Sequence, residues 1–288
     1  MARYRLGTIA AVAATAGLTL TGCGGEAASE SPSFGSCEVY GEKGSVSIEP
    51  VTEDTLTVQT NLPSPGWWKG ISPEKIDGGY EYCLAANIAH RAGLSKVEVV
   101  NASFDALVAG QTKDFDIAMA QISITPEREE VVEFSQPYFD SNVAILAKKG
   151  ADITASNITS KKTGVALGTT AVDFVNETIR PETEARVFQD TDTMVTAVSS
   201  GQVDAAIQDT AIMLGFTKAS SGSLEVVGQY KTGEKYGAIY PKGSPNAEAM
   251  DEAIAAMSDD GTLEKLSASW LGPTLGGDPA KVPVFEAP

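Results

Sequence analysis

Short alternating and helical patterns of apolar residues follow one another along the first half of the chain. Thr55 to Thr60 alternates apolar and polar side chains, as a strand does. The segment from Gly78 to Gly93 places Leu84 and Ile88 one helical turn apart and ends on a glycine, which predicts a helix. Three further elements are predicted: a strand at 97–100, a helix at 103–109 and a strand at 116–120. This order favours an α/β fold with a largely parallel sheet.

One pattern occurs twice along the chain. Residues 106–111 and 116–121 form a helical stretch ending in Gly-Gln, then an acid and a short apolar strand, and residues 197–202 and 204–209 repeat it. Generic helix-turn-strand chemistry is one explanation; two similar α/β lobes are the other. Ligands of open α/β sheets bind at the carboxyl ends of strands. With two lobes, Gln121 and Asp209 would therefore face a shared cleft.

The stretch from Ile117 to Arg128 turns from apolar to polar within a few residues. Gln121, Ser123 and Thr125 alternate with isoleucines, so three polar groups are expected on one side of a strand end. A proline then suits the first turn of a helix and places Arg128 just inside it. The planar fork of an arginine there can donate two parallel hydrogen bonds to a carboxylate. A surface arginine paired with a neighbouring glutamate is the alternative.

A second candidate anion site lies in the later half of the chain. Residues 162–170 read as a strand, a glycine turn and two threonines, Thr169 and Thr170, that open a helix. Helix starts offer unpaired N–H groups and a positive dipole end, to which a hydroxyl adds a donor. A plain helix cap is the alternative.

The amino-terminal segment has the features of an export signal. Arg3 and Arg5 precede an apolar run too short to span a membrane, and small residues lead to Cys23. Leu20-Thr-Gly-Cys23 resembles the lipobox of bacterial lipoproteins, in which the cysteine is acylated; a chance cysteine in a signal peptide cut elsewhere is the alternative. We expect a signal peptide at 1–22 and a lipid anchor on the extracytoplasmic face of the cell membrane.

Composition and net charge limit the kinds of partner that the exported part of the chain can bind. The 288-residue chain carries a net charge of −17, which disfavours nucleic acids and anionic lipid surfaces. Residues 23–50, rich in Gly, Ser and Glu, read as a flexible tether. With Cys23 lipidated, Cys37 and Cys83 remain, and in an exported protein we predict that they pair; two separately buried thiols are the alternative.

Several further motifs carry a resemblance to a known family. They include Gly79-Tyr-Glu-Tyr-Cys-Leu-Ala, Ser103-Phe-Asp-Ala-Leu, Ile122-Ser-Ile-Thr-Pro-Glu-Arg128, Phe134-Ser-Gln-Pro-Tyr138, Gly168-Thr-Thr170, Gln208-Asp209 and Trp270-Leu-Gly272. In this order and spacing, the chain from Thr55 to about Leu271 resembles extracellular solute-binding proteins of amino-acid ABC importers, with the type II periplasmic-binding fold. The resemblance implies two lobes, each a mostly parallel sheet flanked by helices, with the ligand cleft between them.

The resemblance also implies roles for individual residues. Arg128 would clamp the ligand α-carboxylate, helped by Thr169 and Thr170 across the cleft. Asp209 would hold the α-ammonium, together with the Ser123 hydroxyl. The Ala120 carbonyl would add to the ammonium site, and Phe104 would pack against the ligand body.

Selectivity residues depart from the family pattern. Asn61 is a neutral amide where relatives that take cationic side chains carry an acid, and Gln121 replaces a small residue. These departures favour a polar neutral ligand, or an acidic one if Lys161 or Lys162 reaches the cleft; a cationic amino acid or an amino-acid derivative is the alternative. Ser64 replaces an aromatic residue, for which Trp67 and Trp68 could supply a stacking face or serve only as lobe packing, and Ala166 is short.

The expected organisation and partners follow from the same resemblance. Lobe 1 is expected at 51–139 and 237–272, lobe 2 at 143–232, and a tail at 273–288 that is disordered or wrapped on lobe 1. The protein is expected to be a monomer that delivers its ligand to a permease and its ATPase. Two other functions stay open: a ligand-sensing lobe, and a dehydratase-like enzyme on the same fold. The only histidine, His90, lies outside the matched pocket positions, and no metal or cofactor motif is present, so we predict a binding protein without cofactor.

Overall fold

Two five-stranded sheets organise residues 34–276 and 279–288, which a computed structural model describes. The predicted signal peptide and Cys23 lie outside the described residues. The first sheet contains β1 (Thr55–Thr60), β2 (Lys96–Asn101), β3 (Ile117–Ala118), β4 (Glu133–Phe134) and β10 (Ile239–Tyr240), in the order β2-β1-β3-β10-β4. The second contains β5 (Phe139–Lys148), β6 (Thr163–Ala166), β7 (Arg186–Phe188), β8 (Ala205–Asp209) and β9 (Leu224–Tyr236), in the order β7-β6-β8-β5-β9.

Helices cover both sheets and define the two lobes. We call lobe 1 the first sheet with α1 (Tyr80–Arg91), α2 (Phe104–Val108), α3 (Pro126–Glu129), α7 (Ala247–Asp259), α8 (Thr262–Leu266) and α9 (Gly272–Thr274). Lobe 2 is the second sheet with α4 (Thr170–Phe174), α5 (Thr191–Ser200) and α6 (Thr210–Ala219). Short 3-10 helices lie at Pro73–Lys75, Ile158–Ser160 and Pro279–Lys281, and π-helical turns at Val175–Ile179 and Ser267–Leu271. None of the helices in the described segments is long and apolar enough to cross a bilayer.

The predicted two-lobed α/β class is confirmed, but the sheets are mixed rather than mostly parallel. β1 pairs in parallel with β2 and β3, and β6 with β7 and β8, so the two lobes repeat one arrangement. The other pairings, on β10 and β5, are antiparallel. The reason is that the chain crosses between the lobes twice, after β4 and after β9, and each crossing strand enters its new sheet from the opposite end.

An aromatic cluster fills the region where the chain crosses between lobes. Trp67 lies fully buried, with its ring 5.4 Å from Tyr80, 4.9 Å from Phe139 and 5.6 Å from Tyr236, all edge-on. Trp68 is also buried, and neither tryptophan lines the cleft described below. Of the two interpretations open for these residues, lobe packing is the one observed.

The segment from Phe34 to residue 50 has no helix or strand but is held on lobe 1. The Tyr40 amide donates to the Asn87 side chain at 2.7 Å, and the Gly44 amide donates to the His90 carbonyl at 3.2 Å. Cys37 and Cys83 form a disulfide with their Cα atoms 5.3 Å apart. This part of the expected tether is therefore attached to the first helix of the body.

The tail was expected to be disordered or to lie on lobe 1, and this expectation is wrong for its last residues. Leu275 packs in the lobe 1 core, but Val284 pairs in parallel with Gln229 of β9, in lobe 2. β9 is the edge strand of its sheet, and its free N–H and C=O groups attract an extended segment. β9, which provides this edge, lies far from the tail in the sequence.

Two glycines let the lobes approach each other beside the cleft. Gly168 of lobe 2 has φ +75°, and a β-carbon there would lie 3.1 Å from the Asp105 Cα of lobe 1. A β-carbon on Gly215 of α6 would lie 2.7 Å from the Pro65 carbonyl oxygen of lobe 1. Glycine in mid-helix costs about 1 kcal/mol relative to alanine. The close approach of the Pro65 carbonyl, and not helix stability, therefore accounts for a glycine at this position of α6. The structure has the two lobes in contact around the cleft.

Candidate functional site

One cleft between the lobes brings together every residue that the sequence assigns to the ligand. It encloses about 560 Å³ of empty space, counted with the solvent at its mouth. The predicted residues that line it are Asn61, Phe104, Ala120, Gln121, Ser123, Arg128, Thr169, Thr170 and Asp209. The lining residues that the sequence interpretation did not assign include Pro63, Leu167, Gln189, Asp190, Thr191, Ile212 and Phe216. Most of these follow strands of lobe 2 or open its helices, positions for which the chain offers no local signal.

Arg128 lies where the sequence places it, inside the first turn of a helix. Its backbone N–H donates to the Thr125 side chain at 3.3 Å, which caps α3. The guanidinium donates from Nη1 to the Ser123 carbonyl at 2.6 Å and from Nη2 to the Gly168 carbonyl of lobe 2 at 2.9 Å. It also lies 5.6 Å from the centre of the Phe104 ring. The side chain is buried, so the alternative of a surface arginine is wrong.

Burial controls the electrostatics of this arginine. It lowers the pKa of Arg128, while the carboxylates of Asp209 and Glu234 raise it again. A guanidinium has five N–H donors, and the two carbonyl contacts leave others unused. The group is thus a cation in the cleft wall with donors available for an anion.

Asp209 faces the cleft at the end of β8, directly before α6. Its Oδ2 accepts a hydrogen bond of 2.5 Å from the Tyr236 hydroxyl. Burial raises the pKa of Asp209 to about 8, with a further rise from the nearby Glu234 carboxylate, and Tyr236 and Arg128 oppose the shift. A buried carboxyl with a raised pKa is held in its neutral form. A cationic partner favours the charged form and would therefore lower this pKa.

Glu234 of β9 joins the two lobes, and the sequence interpretation missed it. Its Oε2 accepts hydrogen bonds from the Ser123 hydroxyl at 2.5 Å and from the Thr170 hydroxyl at 2.8 Å. Ser123 belongs to lobe 1 and Thr170 to lobe 2, so one carboxylate oxygen contacts both cleft walls. The only local signal is an acid between the expected end of lobe 2 at 232 and the expected return of lobe 1 at 237, and an acid there is also typical of a solvated strand.

The hydroxyl of Thr169 does not cap the following helix. It donates instead to the Ala166 carbonyl at 2.7 Å, within the turn between β6 and α4. The plain helix-cap interpretation is therefore not observed for this side chain.

Gln121 breaks the strand alternation that the sequence suggested. Its φ is +52°, a left-handed conformation that is uncommon outside glycine. This turn points its backbone N–H at Glu81 Oε1, 2.8 Å away, and its side-chain Nε2 also donates to Glu81. Gln121 Oε1 accepts from the Ser64 hydroxyl at 2.7 Å. The expected strand 116–120 is consequently reduced to Ile117–Ala118.

Glu81 is the buried anchor of this turn. Besides Gln121, the Trp68 indole donates to it at 2.7 Å and the Tyr138 hydroxyl at 2.5 Å. Burial raises the pKa of Glu81 to about 7, although all these donors act against the shift. Glu81 thus fixes the conformation of Gln121 in the cleft wall, although Glu81 itself does not line the cleft.

Replacing Glu81 with glutamine is expected to lower the free energy of unfolding by about 1–3 kcal/mol at neutral pH, because an amide N–H₂ would face donors. Since folding raises the pKa of Glu81 from 4.5 to about 7, its contribution is complete below pH 4.5 and is lost as pH rises through 7. Urea unfolding across this range should show wild-type stability falling more steeply than that of the variant. Glu130→Gln, at an exposed carboxylate, is the control. If the free energy of unfolding changed equally with pH in the Glu81→Gln and Glu130→Gln variants, the role of Glu81 would be contradicted.

Four neutral amides lie among the other residues of the cleft. Gln121, Gln189 and Gln208 line it together with Asn61, whose Nδ2 donates to the Ala102 carbonyl at 2.8 Å. Among the lining residues, Arg128 is the one cation, while Asp209 and Asp190 carry the acids. Lys161 lines a separate depression on lobe 2, and Lys162 is not among the cleft residues. Neither lysine is therefore placed to pair with an acidic side chain of the ligand. Within the described segments, no three His, Cys, Asp or Glu side chains are arranged to hold a metal ion.

Two α/β lobes around a polar cleft, joined by two crossing strands, define a hinged ligand-binding protein of the periplasmic-binding class. The chain belongs to the bacterial extracellular solute-binding proteins, family 3, whose model matches residues 71–273. Family membership places the protein outside the cytoplasm.

Individual relatives narrow the class to amino-acid transport. The chain is 30% identical over 199 residues to the L-cystine-binding protein TcyJ of Escherichia coli (strain K12), covering 67% of this chain and 74% of that protein. A solved structure of an ancestral arginine-binding protein bound to glutamine has a TM-score of 0.69 and 32% identity, covering 77% of this chain and 99% of that one. The predicted function, substrate-binding component of an amino-acid ABC importer that serves a permease, is confirmed at this level.

These relatives are solute-binding proteins, not enzymes. Another similar structure, the ancestral amino-acid-binding protein AncCDT-1, is described as a precursor of cyclohexadienyl dehydratase. It is 31% identical with a TM-score of 0.65, covering 76% of this chain and 95% of that one.

Proposed function

We propose that the cleft captures one free amino acid with a neutral polar side chain and holds it between the lobes for the permease. The observation that carries this proposal is the pairing of Arg128 and Asp209 in one cleft whose other lining groups are mostly neutral amides and hydroxyls. A zwitterion requires both charges at once, because burying either end without a partner would be strongly unfavourable.

The backbone of the ligand would use groups from both lobes. Arg128 and the Thr169–Thr170 turn would bind the α-carboxylate, and Asp209, the Ser123 hydroxyl and the Ala120 carbonyl the α-ammonium. A hydroxyl that donates to Glu234 keeps lone pairs for an ammonium, so the contact seen at Ser123 is compatible with this role. Phe104 would cover the ligand body.

The side chain of the ligand would meet amides. Asn61, Gln121, Gln189 and Gln208 offer both donors and acceptors, which suits an amide, hydroxyl or similar group. An acidic side chain would lack a cation, since the one lining cation, Arg128, serves the α-carboxylate. L-glutamine is therefore the first ligand to test, and L-cystine, which the relative TcyJ binds, is the second.

A cationic amino acid is the second candidate, favoured by Asp190. This carboxylate lines the cleft, although its Oδ1 already accepts the Thr193 backbone N–H at 2.7 Å as the cap of α5. A capping carboxylate keeps further lone pairs and could receive a guanidinium. The same screen separates this candidate from the first.

We also propose that the protein acts as a binding protein without catalysis, as a monomer, attached to the extracytoplasmic face of the cell membrane by lipid on Cys23. Asp209 would hold a charge in the ligand rather than move a proton. Lipobox-like residues 20–23 support the anchor.

Thermal unfolding of the chain from residue 24 onward tests the proposal. After unfolding and refolding without reductant to remove bound ligand, each amino acid and L-cystine would be added at about 1 mM. For a Kd of about 1 µM this adds roughly 4 kcal/mol, which at about 2–4 °C per kcal/mol is easily measured. We expect shifts with neutral polar amino acids and none with aspartate or glutamate. A shift with acidic amino acids alone, with cationic amino acids alone, or with no amino acid would contradict the first proposal, and a shift with cationic amino acids alone would support the second candidate.

A further inference from the structure

The carboxyl-terminal residues form a short ladder on the edge strand of lobe 2. The Gln229 backbone N–H donates to the Pro283 carbonyl at 2.8 Å, and the Phe285 N–H donates to the Gln229 carbonyl at 2.8 Å. The Phe285 ring covers Gly228, where a β-carbon would lie 2.5 Å from the ring. This segment lies beyond residue 273, where the family match ends, and it arrives from the lobe 1 core through Leu275.

The side chain of Gln229 connects this segment with the interior of lobe 2. Gln229 is fully buried, at 0% exposure. Its Nε2 donates to the Pro279 carbonyl at 2.7 Å and to the Val282 carbonyl at 3.0 Å. Its Oε1 accepts from the Thr210 hydroxyl at 3.2 Å. Both amide N–H groups are therefore used by the carboxyl-terminal segment and the oxygen by Thr210.

Thr210 is the residue directly after Asp209 and the first residue of α6. Its hydroxyl also donates to the Asn142 carbonyl of β5 at 2.9 Å, so its single hydrogen is shared between that carbonyl and Gln229 Oε1. β5 is the strand that pairs with Asp209 at Val143. The position of the Asp209 carboxyl depends on where β8 ends and α6 begins. The hydrogen bonds of the Thr210 hydroxyl hold that junction in place.

We propose that the carboxyl-terminal segment, residues 279–285, is a positioning element of the ligand cleft that holds Asp209 in place through Gln229 and Thr210. The inference rests on the proposed function, in which Asp209 receives the ligand ammonium. Buried polar networks of this kind fix one geometry when every member is satisfied, and loosen when one partner is removed.

The test compares four proteins: the wild type, a chain ending at residue 278, Thr210→Val, and both changes together. A chain lacking only residues 286–288, which are exposed, is the matched control. The first measurement is the Kd for L-glutamine by calorimetry as a function of pH. The second, made without ligand, is the apparent pKa of the Asp209 carboxyl by ¹³C NMR, at temperatures where each variant is folded.

Truncation and Thr210→Val are each expected to weaken L-glutamine binding about three- to tenfold, the range of a lost hydrogen bond. The double change should weaken it no further than the stronger single change, because both act through one path. The apparent pKa of Asp209 should fall from about 8 toward its ordinary value as water reaches the carboxyl. The control should match the wild type in both measurements.

Wild-type Kd and wild-type Asp209 pKa in the truncated chain would overturn the inference. Additive losses in the double variant would overturn the path through Thr210. If the truncated chain does not fold, an unchanged Kd and pKa in Thr210→Val overturn the proposal by themselves. If the wild type does not bind L-glutamine, the ligand-free pKa still decides the inference, whereas the proposed function is decided separately by the screen.

Discussion

Arg128→Ala is expected to abolish measurable amino-acid binding while the protein stays folded. The side chain is the one cation lining the cleft, so its loss leaves the ligand α-carboxylate desolvated without a partner. Removing one member of such a buried charge pair costs about 3 kcal/mol or more, a weakening of about a hundredfold at least. Stability should change little, because burial already works against the charged form of Arg128 and lowers its pKa.

Arg128→Lys separates charge from geometry. Lysine keeps a cation but not two parallel donors, and it loses the span between the Ser123 and Gly168 carbonyls. We expect binding between that of the alanine variant and the wild type in calorimetry with the ligand found in the screen. Arg186→Ala, at an exposed arginine outside the cleft, is the control. Wild-type affinity in Arg128→Ala would overturn the carboxylate assignment.

Asp209 should make ligand binding depend on pH in a way that identifies its partner. Without ligand, burial and the Glu234 carboxylate raise the pKa of Asp209 to about 8, so the carboxyl is mostly neutral at pH 7. A ligand ammonium favours the charged form and lowers this pKa in the complex. Binding therefore releases a proton below about pH 8, and affinity should rise with pH, by up to about tenfold per unit between about pH 6 and 8.

Asp209→Asn should remove both the affinity and its pH dependence. An amide of the same shape cannot ionise, so we expect binding about a hundredfold weaker at pH 8 and a smaller difference at pH 6. Calorimetry in two buffers of different ionisation enthalpy counts the released proton directly. Groups that face Asp209 are Glu234, Arg128 and Tyr236, so Glu234→Gln should lower the apparent pKa without removing the proton release. A pH-independent wild-type affinity would contradict the ammonium site.

Local patterns predicted the elements whose residues decide their own conformation. The alternation at Thr55–Thr60 matches β1, and the apolar spacing around Leu84 and Ile88 matches α1 at Tyr80–Arg91. The repeated helix-turn-strand pattern allowed two lobes as one of two interpretations, and two sheets with the same parallel arrangement are observed. The repeat suggested a shared cleft for Gln121 and Asp209, and the family resemblance added Arg128; all three residues line one cleft.

Tertiary structure decided what depends on contacts between distant residues. Gln121 turns left-handed because the buried Glu81, forty residues earlier, accepts its N–H. Glu234 reaches Ser123 and Thr170 only after both lobes have formed. The carboxyl-terminal segment lies on lobe 2 because β9 exposes an unpaired edge there.

By itself, the sequence determined the α/β class through its periodicity, while the class of protein, its two lobes and the charged ends of the cleft followed from the resemblance of its motifs to a known family. The mixed sheets, the anchor at Glu81 and the path from the carboxyl terminus to Asp209 were decided by tertiary structure alone. Each depends on hydrogen bonds or strand pairing across long stretches of chain, and no local pattern of residues encodes such a partner.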